Sequence, residues 1–310
     1  MNVLDPRLVE DLAKRLSSQP GLIEKDWYIT RAIRVLAAFD HGGSIPAFGG
    51  GTSLSKAWGL IKRFSEDIDF KVTMPPGASR NRAKKDRSAY RERVLNTLIG
   101  AGFVLDEDPK KRDENRFFSA ALFYPGQFSI GPGLRPHVRI EMSLMPPELP
   151  SIARPVGSLI ALTQGQAPEV PAILCVDPIE TAADKLSALA WRVHARRRGN
   201  EQDDPTIIRH LHDLAALKAA VTASTDFVPL VRKAMEGDVG RGGDATASSD
   251  PATLLAGMLE RLSTDRLWAG EYEAYVDAAS FAASDELISF DGALAAVTEL
   301  VTLVETQGRV

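Results

Sequence analysis

The stretch from 45 to 72 constrains this chain more than any other. Ile45-Pro46-Ala47-Phe48 is a short apolar strand candidate that runs into Gly49-Gly50-Gly51. Thr52 or Ser53 can cap the helix that follows, which carries Leu54, Ala57, Trp58 and Ile61 on its apolar side. The period then changes from 3.6 to two. Asp67, Asp69 and Lys71 fall on one face and Ile68, Phe70 and Val72 on the other, the pattern of a half-buried strand. Pro75-Pro76-Gly77 ends it.

Around this stretch the first half reads as a mixed α/β unit. Leu8, Leu12 and Leu16 mark an opening helix that Pro20-Gly21 breaks; a second helix is expected over 24–39 and a strongly basic one over 80–99. Strands are expected over 117–124 and 138–144, with the sheet completed by pieces near 100–106 and 157–162. After about 176 the texture turns helical. Asp177-Pro178-Ile179-Glu180 combines a cap, a proline at the first helical position and a glutamate at the third. Asp204-Pro205 starts another helix, 236–251 reads as a loop rich in Gly, Asp, Ser and Ala, and helices near 252–263, 269–283 and 291–306 finish the chain. The expected fold class is α+β, a mixed-sheet domain over 1–175 followed by a mainly helical domain over 176–310.

Composition excludes several classes. The one cysteine, Cys175, sits in an apolar stretch, so an intramolecular disulfide and a multi-cysteine zinc site are both ruled out, which fits a reducing cytoplasm. No apolar run approaches the roughly 20 residues of a membrane span, and the N-terminus has no signal-peptide pattern. Net charge is −4, which does not advertise nucleic-acid binding but leaves local patches free to do so. One such patch lies at 80–93, with seven basic side chains against two acidic; another is His194 with Arg192, Arg196, Arg197 and Arg198. Both could grip an RNA backbone.

The chemistry is concentrated at Asp67 and Asp69. Residues i and i+2 of a strand project from one face, and two carboxylates brought together need cations to compensate them. Magnesium suits a few carboxylates plus phosphate oxygens and water. Gly50 and Gly51, between strand and helix, let backbone approach a triphosphate, although the spacing is not that of a P-loop. The segment therefore reads as a place for Mg-NTP. His210 and His212, two apart on a helix, point away from each other and make a poor metal pair.

Gly50-Gly51-Thr52-Ser53-Leu54 followed by Arg63-Phe64-Ser65-Glu66-Asp67-Ile68-Asp69-Phe70 closely resembles the AbiEii/AbiGii nucleotidyltransferase toxins, a branch of the DNA polymerase β-like superfamily. Glu24-Lys25-Asp26-Trp27 resembles the N-terminal helix motif of that family. Ile179-Glu180-Thr181-Ala182-Ala183-Asp184-Lys185-Leu186 and Arg209-His210-Leu211-His212-Asp213-Leu214 resemble its two later motifs. The resemblance spans about 22–215. It implies a nucleotidyltransferase lobe and a helical lobe, with Mg2+ (a two-metal site) and an NTP in a cleft between them. It also implies a toxin with a separately encoded antitoxin, and transfer of a nucleotide to tRNA 3′ ends that blocks translation. Transfer to a protein or small-molecule acceptor, or a non-catalytic nucleotide-binding module, are the alternatives.

On that basis Asp67 and Asp69 would hold metal, with Glu141 on the polar face of the 138–144 strand as a third carboxylate or else an ion pair with Arg139. Gly50, Gly51, Thr52, Ser53 and Ser65 would contact the nucleotide. Lys56 and Arg63 would neutralise phosphate or else be surface cations. Lys185 would reach the triphosphate or else be a surface lysine. Asp213 would orient Lys185 or handle the incoming hydroxyl, or else pair with Arg209.

Overall fold

A computed structural model of the chain describes residues 4–16, 18–77, 79–130, 135–200, 203–241, 243 and 250–307. They form two compact units. One comprises Met1–Gly59 and Phe64–Asp177, the other Leu60–Arg63 and Pro178–Val310.

The first unit opens with α1 (Pro6–Arg15), capped by Asp5, whose carboxylate accepts from Arg7 N–H. α2 spans Pro20–Ala38. Pro20-Gly21 therefore starts this helix rather than standing clear of it, because a proline at the first helical position gives up no hydrogen bond. Next come β1 (Ile45–Gly49), α3 (Gly50–Lys56), β2 (Asp67–Thr73) and α4 (Arg80–Gly100), the last capped by Ser79. The remaining elements are β3 (Val104–Leu105), β4 (Lys110–Arg112), β5 (Phe117–Phe123), β6 (Val138–Ser143), β7 (Ile152–Val156), α5 (Leu159–Thr163) and β8 (Val170–Cys175). The sheet piece expected at 157–162 is instead helix α5, started by the Ser158 hydroxyl accepting from Ala161 N–H; the neighbouring strands fall on either side of it.

The strands form one mixed sheet in the order β3-β5-β6-β2-β1-β8-β7, with β4 also paired to β5. β2 lies in its middle, antiparallel to β1 and parallel to β6. One face is core: Ile68, Phe70 and Val72, Phe118, Ala120 and Leu122, and Val138, Ile140 and Met142 are all buried, in one cluster with Ile29, Ile33 and Leu36 of α2 and Val94 and Leu98 of α4. Each such large side chain contributes about 1.5–3 kcal/mol by leaving water. On β2, β5 and β6 the other face is only half buried outside Asp67. The sheet is thus oily on one side and polar on the other.

The second unit is helical: α6 (Pro178–Ala195), a 3-10 turn (Pro205–Ile208), α7 (Arg209–Thr222), α8 (Phe227–Gly237), α9 (Pro251–Thr264), α10 (Leu267–Ala279) and α11 (Phe290–Gln307). Leu186 and Leu189 of α6, Leu211 and Leu214 of α7 and Val297 and Leu300 of α11 are buried in it. Much of the loop expected over 236–251 lies outside the described residues. Two arginines of the basic 192–198 cluster are engaged inside this unit. Arg196 pairs with Asp203 and Glu271, Arg198 pairs with Asp265 and Glu271, and both guanidinium groups lie over the Trp268 ring. Among the described residues no helix is long and apolar enough to cross a membrane.

Candidate active site

The polar face of β2 carries the two aspartates, and sheet register supplies their surroundings. Gly49 of β1 is opposite Asp69, and Glu141 of β6 is opposite Asp69 on the other side. Gly50 has φ +68°, the left-handed region that favours glycine. A Cβ there would stand 2.6 Å from Asp69 Cγ and overlap Asp69 Oδ2. The Asp69 carboxylate is thus packed directly onto glycine backbone. Gly50→Ala is expected to displace it and cut nucleotidyl transfer at least tenfold, a rise of about 1.4 kcal/mol or more in the barrier; rates measured beside the unsubstituted chain check this.

The cap expected at Thr52 or Ser53 is moved upstream. α3 begins at Gly50, and the Thr52 hydroxyl donates to the backbone carbonyl of Asp67. Thr52 therefore ties helix to strand. Ser65 is buried but precedes the first residue of β2, so strand alternation does not place it. Lys56 is no surface cation: its ammonium pairs with Asp26 at 2.5 Å and donates to the Gly157 carbonyl at 3.2 Å.

Three consecutive charged residues of α2 hold the loops around β2. Glu24 accepts from the N–H groups of Gln127 and Phe128. Asp26 accepts from Leu159 N–H, besides pairing with Lys56. Lys25, 0% exposed, donates to the Glu66 carboxylate and, at 2.7 Å, to the Arg135 carbonyl. Burial pulls the Lys25 ammonium below its ordinary value against the opposing pull of Glu66. Lys25→Met would leave Glu66 without this cation, and an expected loss of about 3 kcal/mol should appear as a lower urea midpoint.

Arg135 is the site residue that sequence reasoning missed. Its guanidinium bonds Asp67 Oδ1 at 2.8 Å and lies 3.5 Å from Glu66 Oε1. The only signal was a lone cation in a Gly-Pro-rich stretch.

Among the described residues no three His, Cys, Asp or Glu side chains gather into a metal-holding group. The expected trio of Asp67, Asp69 and Glu141 is therefore not assembled: Arg135 holds Asp67, and Arg139 lies 3.5 Å from the Glu141 carboxylate. The donor chemistry still suits magnesium, which takes one or two carboxylates and completes its shell with phosphate oxygens and water. Asp67 and Asp69 would supply those two, the Asp69 carboxylate being seated against the Gly50 backbone.

The second unit holds a separate ion cluster. Arg63, 2% exposed, grips Asp213 with Nε at 2.6 Å and Nη2 at 2.5 Å, and Lys185, 7% exposed, reaches the same carboxylate at 2.8 Å. Arg63 is committed to Asp213 rather than to phosphate, and Lys185 is a buried lysine rather than a surface one. Burial would raise the Asp213 carboxyl, but Arg63 and Lys185 override that and hold it well below its usual range. Burial lowers Lys185 despite Asp213, and pushes the neighbouring His210 toward the neutral form.

The sequence model described as nucleotidyl transferase AbiEii toxin, type IV TA system, matches residues 34–296. This chain belongs to the AbiEii nucleotidyltransferase toxin family. As an AbiEii protein it is a nucleotidyltransferase toxin of the type IV toxin–antitoxin class, which implies an NTP substrate and a cognate antitoxin. A similar solved structure is MenT4, a nucleotidyltransferase toxin from Mycobacterium tuberculosis H37Rv. It has 20% identity and a TM-score of 0.52, covering 97% of this chain and 99% of that one. At that identity the likeness speaks for the shared fold. Comparison with curated proteins finds no match. The AbiEii match takes in Gly50, Asp67, Asp69, Lys185 and Asp213 alike.

Proposed function

We propose that this AbiEii protein is a cytoplasmic, magnesium-dependent enzyme that transfers NMP from an NTP to the 3′ end of tRNA and so blocks translation. The observation that carries the reading is the Asp69 carboxylate, packed onto the Gly50 backbone and level with Glu141 across the sheet. Magnesium held by Asp67 and Asp69 would offset triphosphate charge and favour ionisation of the attacking hydroxyl. The 3′-oxygen attacks the α-phosphorus, the bond to the bridging oxygen breaks, and pyrophosphate leaves. Gly50 and Gly51 would turn backbone N–H groups at the start of α3 toward the phosphates. Thr52 fixes that turn to β2. Arg135 neutralises Asp67 and holds it in place. In the helical unit Asp213 positions Lys185 and Arg63. The basic outer surface of α4 favours the approach of a polyanion.

The test is purified protein with Mg2+, each labelled NTP in turn, and total tRNA. Label on tRNA 3′ ends is expected with at least one NTP; absence of product with all four, or label only on protein or small molecules, would refute the RNA acceptor.

A further inference from the structure

Strand register extends the polar face well beyond the aspartates. Asp69 is opposite Glu141, Glu141 is opposite Ser119 of β5, and Ser119 is opposite Lys110 of β4. One row of side chains therefore runs across four strands from carboxylate to cation. The neighbouring row runs Lys71, Ser143, Phe117, Arg112. At about 4.8 Å between strands, each row covers roughly 14 Å.

The outer end of this face is unlike its inner end. Lys110 and Arg112 are exposed, and Phe117 is half buried although it lies on the polar side. The Arg112 guanidinium sits 4.3 Å from the Phe117 ring centroid, so a planar cation already covers an aromatic ring in the sheet. Bases stack on both kinds of surface. In the first row the acidic side chains lie at the inner end, the neighbouring row begins on Lys71, and the outer end of both rows is cationic.

We propose that this half-exposed sheet face binds the unpaired 3′ end of the acceptor RNA, with Phe117 and Arg112 as a stacking platform and Lys110 as a phosphate contact. The proposal rests on the RNA-acceptor reading above and deepens it. Three or four stacked nucleotides, at about 3.4 Å each, span the distance from the platform to Asp69. An unpaired end fits because its bases are free to stack on the sheet. A blunt duplex end keeps them stacked on one another. An acidic protein fits less well, because protein interfaces want an apolar centre that this row of Lys, Arg and Ser does not offer.

The experiment measures binding apart from catalysis. Fluorescence anisotropy of the full chain follows a labelled six-nucleotide single-stranded RNA and the same sequence paired in a blunt duplex. The single strand is expected to bind more tightly. Arg112→Gln and Phe117→Leu are each expected to weaken it on the order of tenfold. Lys110→Gln should flatten the dependence of binding on salt by about one phosphate contact. Affinity for a non-hydrolysable NTP analogue should be unchanged in all three. Arg112 is exposed, so its variant tests the platform even if Phe117→Leu folds poorly. The inference is overturned if the unsubstituted chain does not bind the single strand, if the duplex binds equally well, or if Arg112→Gln binds the single strand undiminished. If the platform variants lose RNA binding while the unsubstituted chain labels no RNA, the face stands and the acceptor reading falls. If RNA is labelled equally by unsubstituted and Arg112→Gln chains, the face falls and the acceptor reading stands.

Discussion

Asp213→Ala is expected to cost about 5 kcal/mol of folding stability, the upper end of what breaking a buried ion pair does. The reason is that one carboxylate serves two buried cations. Arg63 reaches it through two nitrogens and Lys185 through a third contact, and none of the three groups has appreciable access to water. Removing it leaves a buried guanidinium facing a buried ammonium. The lysine can shed its proton, but arginine does not. The measurement is urea unfolding followed in the full chain, and an unchanged midpoint would show that the cluster carries no stability. The pH dependence has a definite sign. Because the folded-state carboxyl is held well below its ordinary value of 3.8, its stabilising contribution is present above that value and is lost as pH falls toward the folded-state one. The difference in stability between the unsubstituted chain and Asp213→Asn should therefore be constant near neutrality and shrink only under acid conditions.

Asp69→Asn is expected to act in the opposite way, sparing the fold and removing the activity. Transfer of labelled nucleotide should fall by about a hundred- to a thousandfold, as it does when a group that stabilises transition-state charge is lost. Stability should hold or rise by up to about 1 kcal/mol, because Asp69 and Glu141 face each other across two strands and one of two like charges has been taken away. Asparagine occupies nearly the same space against Gly50, so packing is retained. Parallel assays of transfer rate and thermal midpoint check this. A large fall in the midpoint would mean that Asp69 is structural, and full activity would remove it from the chemistry.

The contrast between these two aspartates shows what the amino-acid order made legible. Asp69 could be placed because alternation along a strand is local: Asp67, Asp69 and Lys71 declare their face without knowledge of any other strand. Helix starts were legible for the same reason at Pro178, while at Pro20 the same residue was misread as a break. The pairing of Asp213 with Lys185 could be expected from the family motifs, but its second partner, Arg63, and the partners of Lys25 were hidden. Arg63 is 150 positions from Asp213, and Glu66 is 41 from Lys25. Nothing local distinguishes a lysine that will be buried against a carboxylate from one that will sit in water. Lys56 was uncertain for that reason, and Arg135 passed unnoticed. The row from Asp69 to Lys110 was equally out of reach, since it depends on four strands taking one particular register. β8 escaped because its exposed positions follow no two-residue alternation.

The four residues Leu60–Arg63 belong to the helical unit although the chain on both sides of them belongs to the sheet unit. Arg63 pairs with Ser280 as a β-bridge, and Phe281 N–H donates to the Lys62 carbonyl at 3.0 Å. The polypeptide therefore enters the second unit, leaves it, and returns for good after Asp177. No single cut separates the two. A piece ending at Asp177 carries an arginine whose carboxylate has been left behind, and a piece beginning at Pro178 lacks the guanidinium its aspartate was built around. A simple end-to-end exchange of these units at Asp177 would therefore split the Arg63–Asp213 pair. Shuffling them between relatives would have to exchange Leu60–Arg63 together with everything beyond Asp177.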